Sequence, residues 1–145
     1  MSHLKLIALD AEDLAIIAAH LQDAIGSVGE MTYLPKERRF VALLNRFDWA
    51  SVLRDPKAAP QRRKSALRIE RVLAAQVQGI DTKADGSTVN LLTVQFEPST
   101  MPAGSLTLVY ADDRAIRLQV ECIELQLEDL DAAWTVERVP QHTHR

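Results

Sequence analysis

Most of this chain alternates apolar and polar residues with a period of two, which is the pattern of half-buried β-strands. The stretch 105–120 shows the pattern best, because Ala111-Asp112-Asp113 separates two alternating runs and predicts a hairpin turn. The apolar residues of these runs are Leu106, Leu108 and Tyr110, then Ile116, Leu118 and Val120. The pattern restricts the chain to folds built mainly from antiparallel strands.

One segment near the N-terminus has the helical period instead. Apolar residues recur there at a spacing of three or four. They are Leu14, Ile17, Ala18, Leu21 and Ile25. Asp10 is suited to cap the helix, and Gly26 and Gly29 are expected to end it. The sequence thus predicts one amphipathic helix over 10–25 that needs a surface to pack against.

Further strands follow the helix. Residues 40–49 are apolar on both faces, which indicates a central strand that begins after a turn at Pro35-Lys36-Glu37. Residues 54–64 are predicted to form a loop, because they contain two prolines and no apolar periodicity.

The next segment, 65–80, fits a strand and a helix almost equally well. We favour the strand, because an Asp-Gly turn then leads into another strand at 88–97.

The single cysteine, Cys122, lies between Glu121 and Glu124 in the stretch RLQVECIELQLEDLD. A nucleophilic cysteine needs a lowered pKa, and flanking carboxylates disfavour the thiolate, so a structural role is favoured. The apolar pattern changes phase at Glu121-Cys122. A bulged strand and a short helix over 121–130 both explain that change, and the pattern leaves the two alternatives open.

The 145 residues fit one domain, 1–145, with an ordered core at about 4–134 and a tail at 135–145 that we expect to fray. One cysteine cannot form an internal disulfide. The N-terminus lacks the basic start and apolar run of a signal peptide, so we expect a cytoplasmic protein without a membrane span.

Known catalytic motifs are not found in the sequence. It has no glycine-rich phosphate loop and no G-x-S-x-G elbow. His142 and His144 have a weak metal-ligand spacing, because no cysteine or carboxylate lies beside them. We therefore expect no catalytic residue, no metal and no cofactor, although enzymatic activity stays open.

The distribution of charge is the strongest functional signal. The net charge is −3, yet seven of the 17 Lys and Arg residues lie between 54 and 71. The residues predicted to bind there are Arg62, Arg63, Lys64, Arg68 and Arg71. They could be solvated, pair with the acidic segment 112–137, or dock an acidic protein partner. RNA is a weaker alternative, because no aromatic side chain is interleaved with these cations.

The motif Asn45-Arg46-Phe47-Asp48-Trp49 adds a second candidate surface. Arginine and tryptophan are enriched in binding hot spots, so Arg46, Asp48 and Trp49 could form a recognition corner. The alternative is a strand end at which Arg46 and Asp48 form a salt bridge.

Four segments together resemble a known family: LKLIALDAEDLAIIAAHLQDAI, YLPKERRFVALLNRFDW, ALRIERVLAAQVQGID and AIRLQVECIELQLEDL. The chain is similar, over about residues 4–134, to the bacterial family termed domain of unknown function 2948. The resemblance implies a single-domain bacterial cytosolic protein. It brings no activity and no catalytic residue.

These observations predict an α+β protein, in which an N-terminal amphipathic helix packs on a curved antiparallel sheet or partial barrel of about six strands. The favoured function is a non-catalytic binding or adaptor module that docks an acidic partner through its basic loop. A small-ligand-binding protein or enzyme with a site inside the curved sheet is the first alternative, and RNA binding is the second.

Overall fold

A computed structural model describes residues 4–57, 59 and 61–135, with side chains described as far as residue 130. The elements are β1 (Lys5–Ala8), α1 (Ala11–Leu21), β2 (Ala24–Leu34), β3 (Arg39–Phe47), α2 (Trp49–Arg54), β4 (Gln61–Ile69), β5 (Val72–Gln78), β6 (Thr88–Pro98), β7 (Gly104–Tyr110), β8 (Arg114–Val120) and β9 (Leu125–Thr135). The α+β class is confirmed.

The nine described strands form one open antiparallel sheet in the order β1-β9-β4-β3-β2-β6-β7-β8-β5. The prediction of about six strands was therefore too low. The central place of β3 is confirmed, because it pairs with β2 on one side and β4 on the other. The predicted hairpin is β7 and β8, and its turn carries left-handed backbone angles at Asp112 and Asp113.

Two bends connect the halves of this sheet. The chain leaves β4, turns at Arg71 with a left-handed φ of 61°, and continues as β5 beside a different neighbour. The segment 121–124 makes the corresponding bend between β8 and β9. Backbone hydrogen bonds from Glu70 N to Glu124 O and from Glu121 N to Arg71 O, both 2.9 Å, hold the bends together. Strands β4 and β5 are joined directly by the bend at Arg71, yet they are not neighbours in the strand order. The sheet must therefore curve to bring them together.

The bends resolve both ambiguities in the sequence. The segment 65–80 is strand, as favoured, but it divides at Arg71 into the end of β4 and all of β5. The segment 121–130 is neither a bulged strand nor a short helix. It is a bend followed by the new strand β9, and Val120, Ile123 and Leu125 all stay in the core across the phase change.

Helix α1 begins as predicted, with the Asp10 carboxylate accepting a hydrogen bond from Asp13 N at 2.8 Å. It ends at Leu21 and not at Ile25, because Asp23 adopts a left-handed φ of 64° and directs the chain into β2. Gly26 therefore lies in a strand and does not end a helix. A Cβ at this position would lie 3.0 Å from Leu44 Cδ2, so the glycine permits close packing against β3.

The predicted loop 54–64 is shorter than expected at both ends. Asp48 caps α2, a helix of six residues that the sequence pattern did not indicate. Strand β4 already begins at Gln61, and its residues Arg62, Arg63 and Lys64 pair with Phe47, Arg46 and Asn45 of β3. The predicted basic loop is thus the first part of a strand.

The core lies between α1 and the sheet and continues along the strands. Leu14, Ile17 and Leu21 of α1 are buried, which agrees with the predicted apolar stripe. Within the described part of the chain, no helix has the length and apolar character needed to cross a bilayer. The predicted fraying of 135–145 concerns residues that, after Thr135, lie outside those described.

Candidate functional site

An apolar cavity of about 250 Å³ lies where the second half of β2 faces β5. Its walls are mainly aliphatic and aromatic with two threonines, and none of the described residues that line it is charged. The lining residues are Val28, Met31, Thr32, Tyr33, Phe40, Ala75, Val77, Ile80, Thr82 and Ile116. The cavity is therefore suited to an uncharged apolar group.

Two segments are tied by hydrogen bonds to residues beside this cavity. Val72 N donates to Arg38 O at 2.8 Å, and Tyr33 Oη donates to Val72 O at 3.0 Å, which ties β5 to the β2–β3 turn. The connection 79–87 contacts β2 through hydrogen bonds from Val28 N to Ser87 O and from Gly29 N to Asp85 O. The rim of the cavity includes the exposed residues Thr32, Val77 and Thr82.

The irregular path of β2 creates the opening. The first half of β2, from Ala24 to Ser27, pairs with β6, whereas Met31 to Leu34 pair with β3 alone among the described residues. A register shift between Gly26 and Met31 separates the two halves. Because β6 leaves β2 at this point, the wall of the curved sheet is interrupted beside the cavity.

The predicted basic residues already have partners inside the chain. Arg62 donates to the carbonyl oxygens of Asp23 and Asn45, and burial lowers its pKa. Arg63 pairs with Asp48 at 2.8 Å, and Lys64 pairs with Glu30 at 3.1 Å.

Arg68 pairs with Glu70 at 3.0 Å, and Arg71 pairs with Glu124 at 3.4 Å. The side chains of Arg68 and Arg71 are about half exposed, at 43% and 58%. The structure thus places the five predicted cations along β4 and at its bend, where each makes at least one intramolecular contact.

The predicted recognition corner is closed by interactions within the chain. Arg46 does not pair with Asp48, which corrects the expected salt bridge. It forms a two-point ion pair with Asp129 of β9, with distances of 2.8 and 2.7 Å, and both side chains are buried. The two predicted partners separate because Asp48 lies past the end of β3, where it caps α2.

Asp48 and Trp49 also have structural contacts. The Asp48 carboxylate accepts hydrogen bonds from Ser51 N and from Arg63 Nε. Trp49 Nε1 donates to Gln22 O at 2.9 Å, which joins α2 to the end of α1. Burial alone would raise the pKa of Asp48, but the hydrogen bonds from Arg63 and Ser51 outweigh burial and lower it.

A histidine lies beside this cluster, at a position that the helical pattern assigns to the surface of α1. His20 of α1 is half-buried, and among the described residues its Nδ1 has no hydrogen-bond partner. Burial lowers its pKa, and the charge of Arg46 lowers it further, while Asp129 and Asp48 oppose the shift.

Cys122 lies in the bend between β8 and β9, where its thiol is free and half-buried. In the described residues, no group of three His, Cys, Asp or Glu side chains is arranged to hold a metal ion. His142 and His144 lie outside those residues.

None of the cavity-lining residues was among the residues predicted to bind. One signal in the sequence could have indicated them, because the stretch Val72-Leu73-Ala74-Ala75-Gln76-Val77-Gln78 contains no charge although neighbouring strands are rich in charges. An uncharged strand of this kind is unusual at the edge of a sheet.

The fold and its cavity define an α+β protein whose curved, open antiparallel sheet carries an apolar pocket beside an edge strand. The chain belongs to the family described as protein of unknown function DUF2948, whose model matches residues 4–142. This match confirms the resemblance seen in the sequence. No curated protein and no solved structure matches the chain.

Proposed function

We propose that this protein is a non-catalytic binding protein, which takes an uncharged apolar group into the cavity between β2, β3 and β5. The observation that carries the proposal is the cavity itself, with its volume of about 250 Å³ and its uncharged lining. Apolar surface of this kind favours apolar guests, because its removal from water is favourable. We place this function in the bacterial cytoplasm, in keeping with the family resemblance.

The size and lining of the cavity specify the ligand. A volume of about 250 Å³ is slightly below the usual range of drug-sized sites, so the group that enters is small. A carboxylate or an ammonium group would lose its hydration without gaining a charged partner. We therefore propose a neutral aliphatic or aromatic group as the ligand.

Docking of an acidic protein or RNA through the basic strand has less support. A phosphate or carboxylate would compete with Asp48 for Arg63, with Glu30 for Lys64, and with Glu124 for Arg71. Each exchange replaces one ion pair by another, so it contributes little to the free energy of binding. The cavity offers apolar surface that carries no charge, which is why we place the binding function there.

Two neighbouring alanines of β5 provide a matched test. Ala75 is half-buried and lines the cavity, whereas Ala74 is exposed and lies on the opposite side of the same strand. The Ala75→Phe variant fills the cavity with a ring, and Ala74→Phe adds the same ring outside it. The two variants therefore change composition identically and differ only in where the ring lies.

The measurement is a titration with the neutral fluorophore N-phenyl-1-naphthylamine, whose emission rises in apolar surroundings. We expect saturable binding to the wild type, unchanged binding to Ala74→Phe, and binding at least about tenfold weaker to Ala75→Phe. Far-ultraviolet circular dichroism establishes that both variants are folded. Equal binding to both variants, or no saturable binding to the wild type, would overturn the proposal.

A further inference from the structure

Strand β5 has an unpaired edge beside the cavity. In the described residues it pairs with β8 alone, and it is the last strand of the sheet on that side. An unpaired edge exposes N–H and C=O groups that can pair with another extended chain. Whether another chain can pair with β5 therefore depends on which of its backbone N–H and C=O groups point away from β8.

The register shows which residues direct their backbone groups away from β8. Glu121 N donates to Arg71 O next to the Val72–Val120 pair, so that pair is of the non-hydrogen-bonded type. Val72 accordingly directs its N–H and C=O outward, where they meet Arg38 O and Tyr33 Oη.

The same type of pair recurs every two residues along β8, and a register shift between Val72 and Ala74 moves the matching positions of β5 by one residue. Ala75 pairs with Leu118 and Val77 with Ile116, so Ala75 and Val77 also direct their N–H and C=O groups outward. Among the described residues, no backbone hydrogen bond from outside the strand ladders reaches these four groups.

The outward backbone groups and the cavity lining belong to the same residues of β5. Ala75 and Val77 present a free backbone edge, and both residues also line the cavity. Val77 is 45% exposed, so the apolar surface of the cavity reaches the outside of the molecule at this residue. An extended chain paired here would place alternate side chains at the cavity, because strand side chains alternate with a period of two.

The other end of the sheet lacks this combination. Edge strand β1 has only four residues and includes Lys5, both of which protect an edge against pairing. Strand β5 has seven residues, with no charge and no proline. The contrast indicates that β5 is the edge suited to receive a partner strand.

We infer that the cavity is occupied by apolar side chains two positions apart on an extended, uncharged peptide segment of a partner protein, which adds to β5 as a further strand. This inference rests on the proposed function and specifies its ligand. The backbone of Ala75 and Val77 supplies two donors and two acceptors for the added strand, and the cavity supplies selectivity for its alternate side chains.

The first experiment is selection of a random heptapeptide display library on the immobilised wild-type protein. We expect enriched sequences with apolar residues at positions two apart and with no charged residue between them. Enrichment should disappear on Ala75→Phe and persist on Ala74→Phe. Enriched sequences without this alternation, or no enrichment, would overturn the inference.

The second experiment separates strand pairing from filling of the cavity. Val77→Pro keeps a side chain of similar size but removes an outward N–H, and the β5–β8 ladder does not use that N–H. Val77→Ala keeps the N–H and shortens the side chain. Strand addition predicts that Val77→Pro weakens binding of the most enriched peptide at least about tenfold, and more than Val77→Ala does. A ligand held by the cavity alone predicts the reverse order.

The neutral fluorophore separates failure of the inference from failure of the proposed function. If it binds Val77→Pro and the wild type alike while no peptide binds either protein, the peptide inference is wrong and the cavity still binds a small neutral molecule. If it binds neither protein, the proposed function is wrong as well. Self-association of the protein that is abolished by Val77→Pro would identify a second copy as the occupant and overturn the inference of a foreign peptide.

Discussion

Arg46 and Asp129 form a two-point ion pair that solvent does not reach, with Arg46 Nε and Nη2 donating to the carboxylate at 2.8 and 2.7 Å. Their side chains are 2% and 1% exposed. Ser65 Oγ and Leu4 N also donate to the Asp129 carboxylate, so β3, β4, β9 and the chain just before β1 meet at one charge. The pair therefore joins four segments that are remote in sequence.

Removal of one partner of the Arg46–Asp129 pair should destabilise the fold. We expect Asp129→Ala to lower the free energy of unfolding by about 3–5 kcal/mol, because Arg46 would remain charged and buried without its counter-ion. The exposed pair Arg38–Glu121, with side chains 59% and 41% exposed, is the matched control. Glu121→Ala should cost less than about 1 kcal/mol. Urea denaturation measures both, and similar losses in the two variants would contradict this account.

The histidine beside this pair should make stability depend on pH. Burial and the charge of Arg46 lower the pKa of His20 below 6.5, although Asp129 and Asp48 act in the opposite direction. Between the lowered pKa and 6.5, the unfolded chain binds more protons than the folded protein. The free energy of unfolding should therefore fall as the pH falls through this window.

His20→Gln removes the titrating group and keeps a polar side chain of similar length. Urea denaturation at several pH values between 5 and 7.5 compares this variant with the wild type. We expect the wild type to lose stability toward pH 5 and the variant to lose less. An identical slope in the two proteins would show that His20 does not contribute.

The elements that could be predicted from the sequence depend on local patterns. The Asp10 cap, the β7–β8 hairpin and the central strand β3 each follow from residues within about 16 positions of one another. Their signals are turn chemistry and periodicity, which act through neighbouring residues. These parts of the fold were accordingly confirmed.

The parts that were missed depend on residues far apart in sequence. Arg46 and Asp129 are 83 positions apart, so nothing near Arg46 shows that its partner is Asp129 and not Asp48. The division of 65–80 depends on a left-handed Arg71 held by the second bend. The cavity was missed because it arises where, in the described part of the chain, the second half of β2 and the edge strand β5 each lack a neighbouring strand on one side. The apolar pattern within a strand does not show which other strands will pair with that strand.

Charge reversal should affect two adjacent cations of β4 very differently. Arg63 is 13% exposed and pairs with the buried Asp48, whereas Lys64 and its partner Glu30 are 36% and 39% exposed. Arg63→Glu would place a carboxylate beside the Asp48 carboxylate, and we expect a loss of more than about 2 kcal/mol in the free energy of unfolding. Lys64→Glu should cost less than about 1 kcal/mol.

This difference determines how binding of an acidic partner can be tested. A loss of binding in Arg63→Glu could result from unfolding of the β4 segment, whereas we expect Lys64→Glu to leave the fold intact. Thermal denaturation followed by circular dichroism ranks the two variants. If Lys64→Glu were the less stable one, the ion pairs would not have the burial described above.

A pair of glycines tests how closely the sheet is packed. A Cβ added to Gly104 would overlap Glu97 O and lie 2.6 Å from Phe96 Cζ, so Ala at this position must displace backbone or a packed ring. Gly86 has nothing within 4 Å of the corresponding point. We expect Gly104→Ala to lower the free energy of unfolding by about 1–3 kcal/mol and Gly86→Ala to change it by less than about 0.5 kcal/mol. Because both changes add one methyl group, equal effects in urea denaturation would mean that β6 and β7 are not packed as closely at Gly104 as the structure shows.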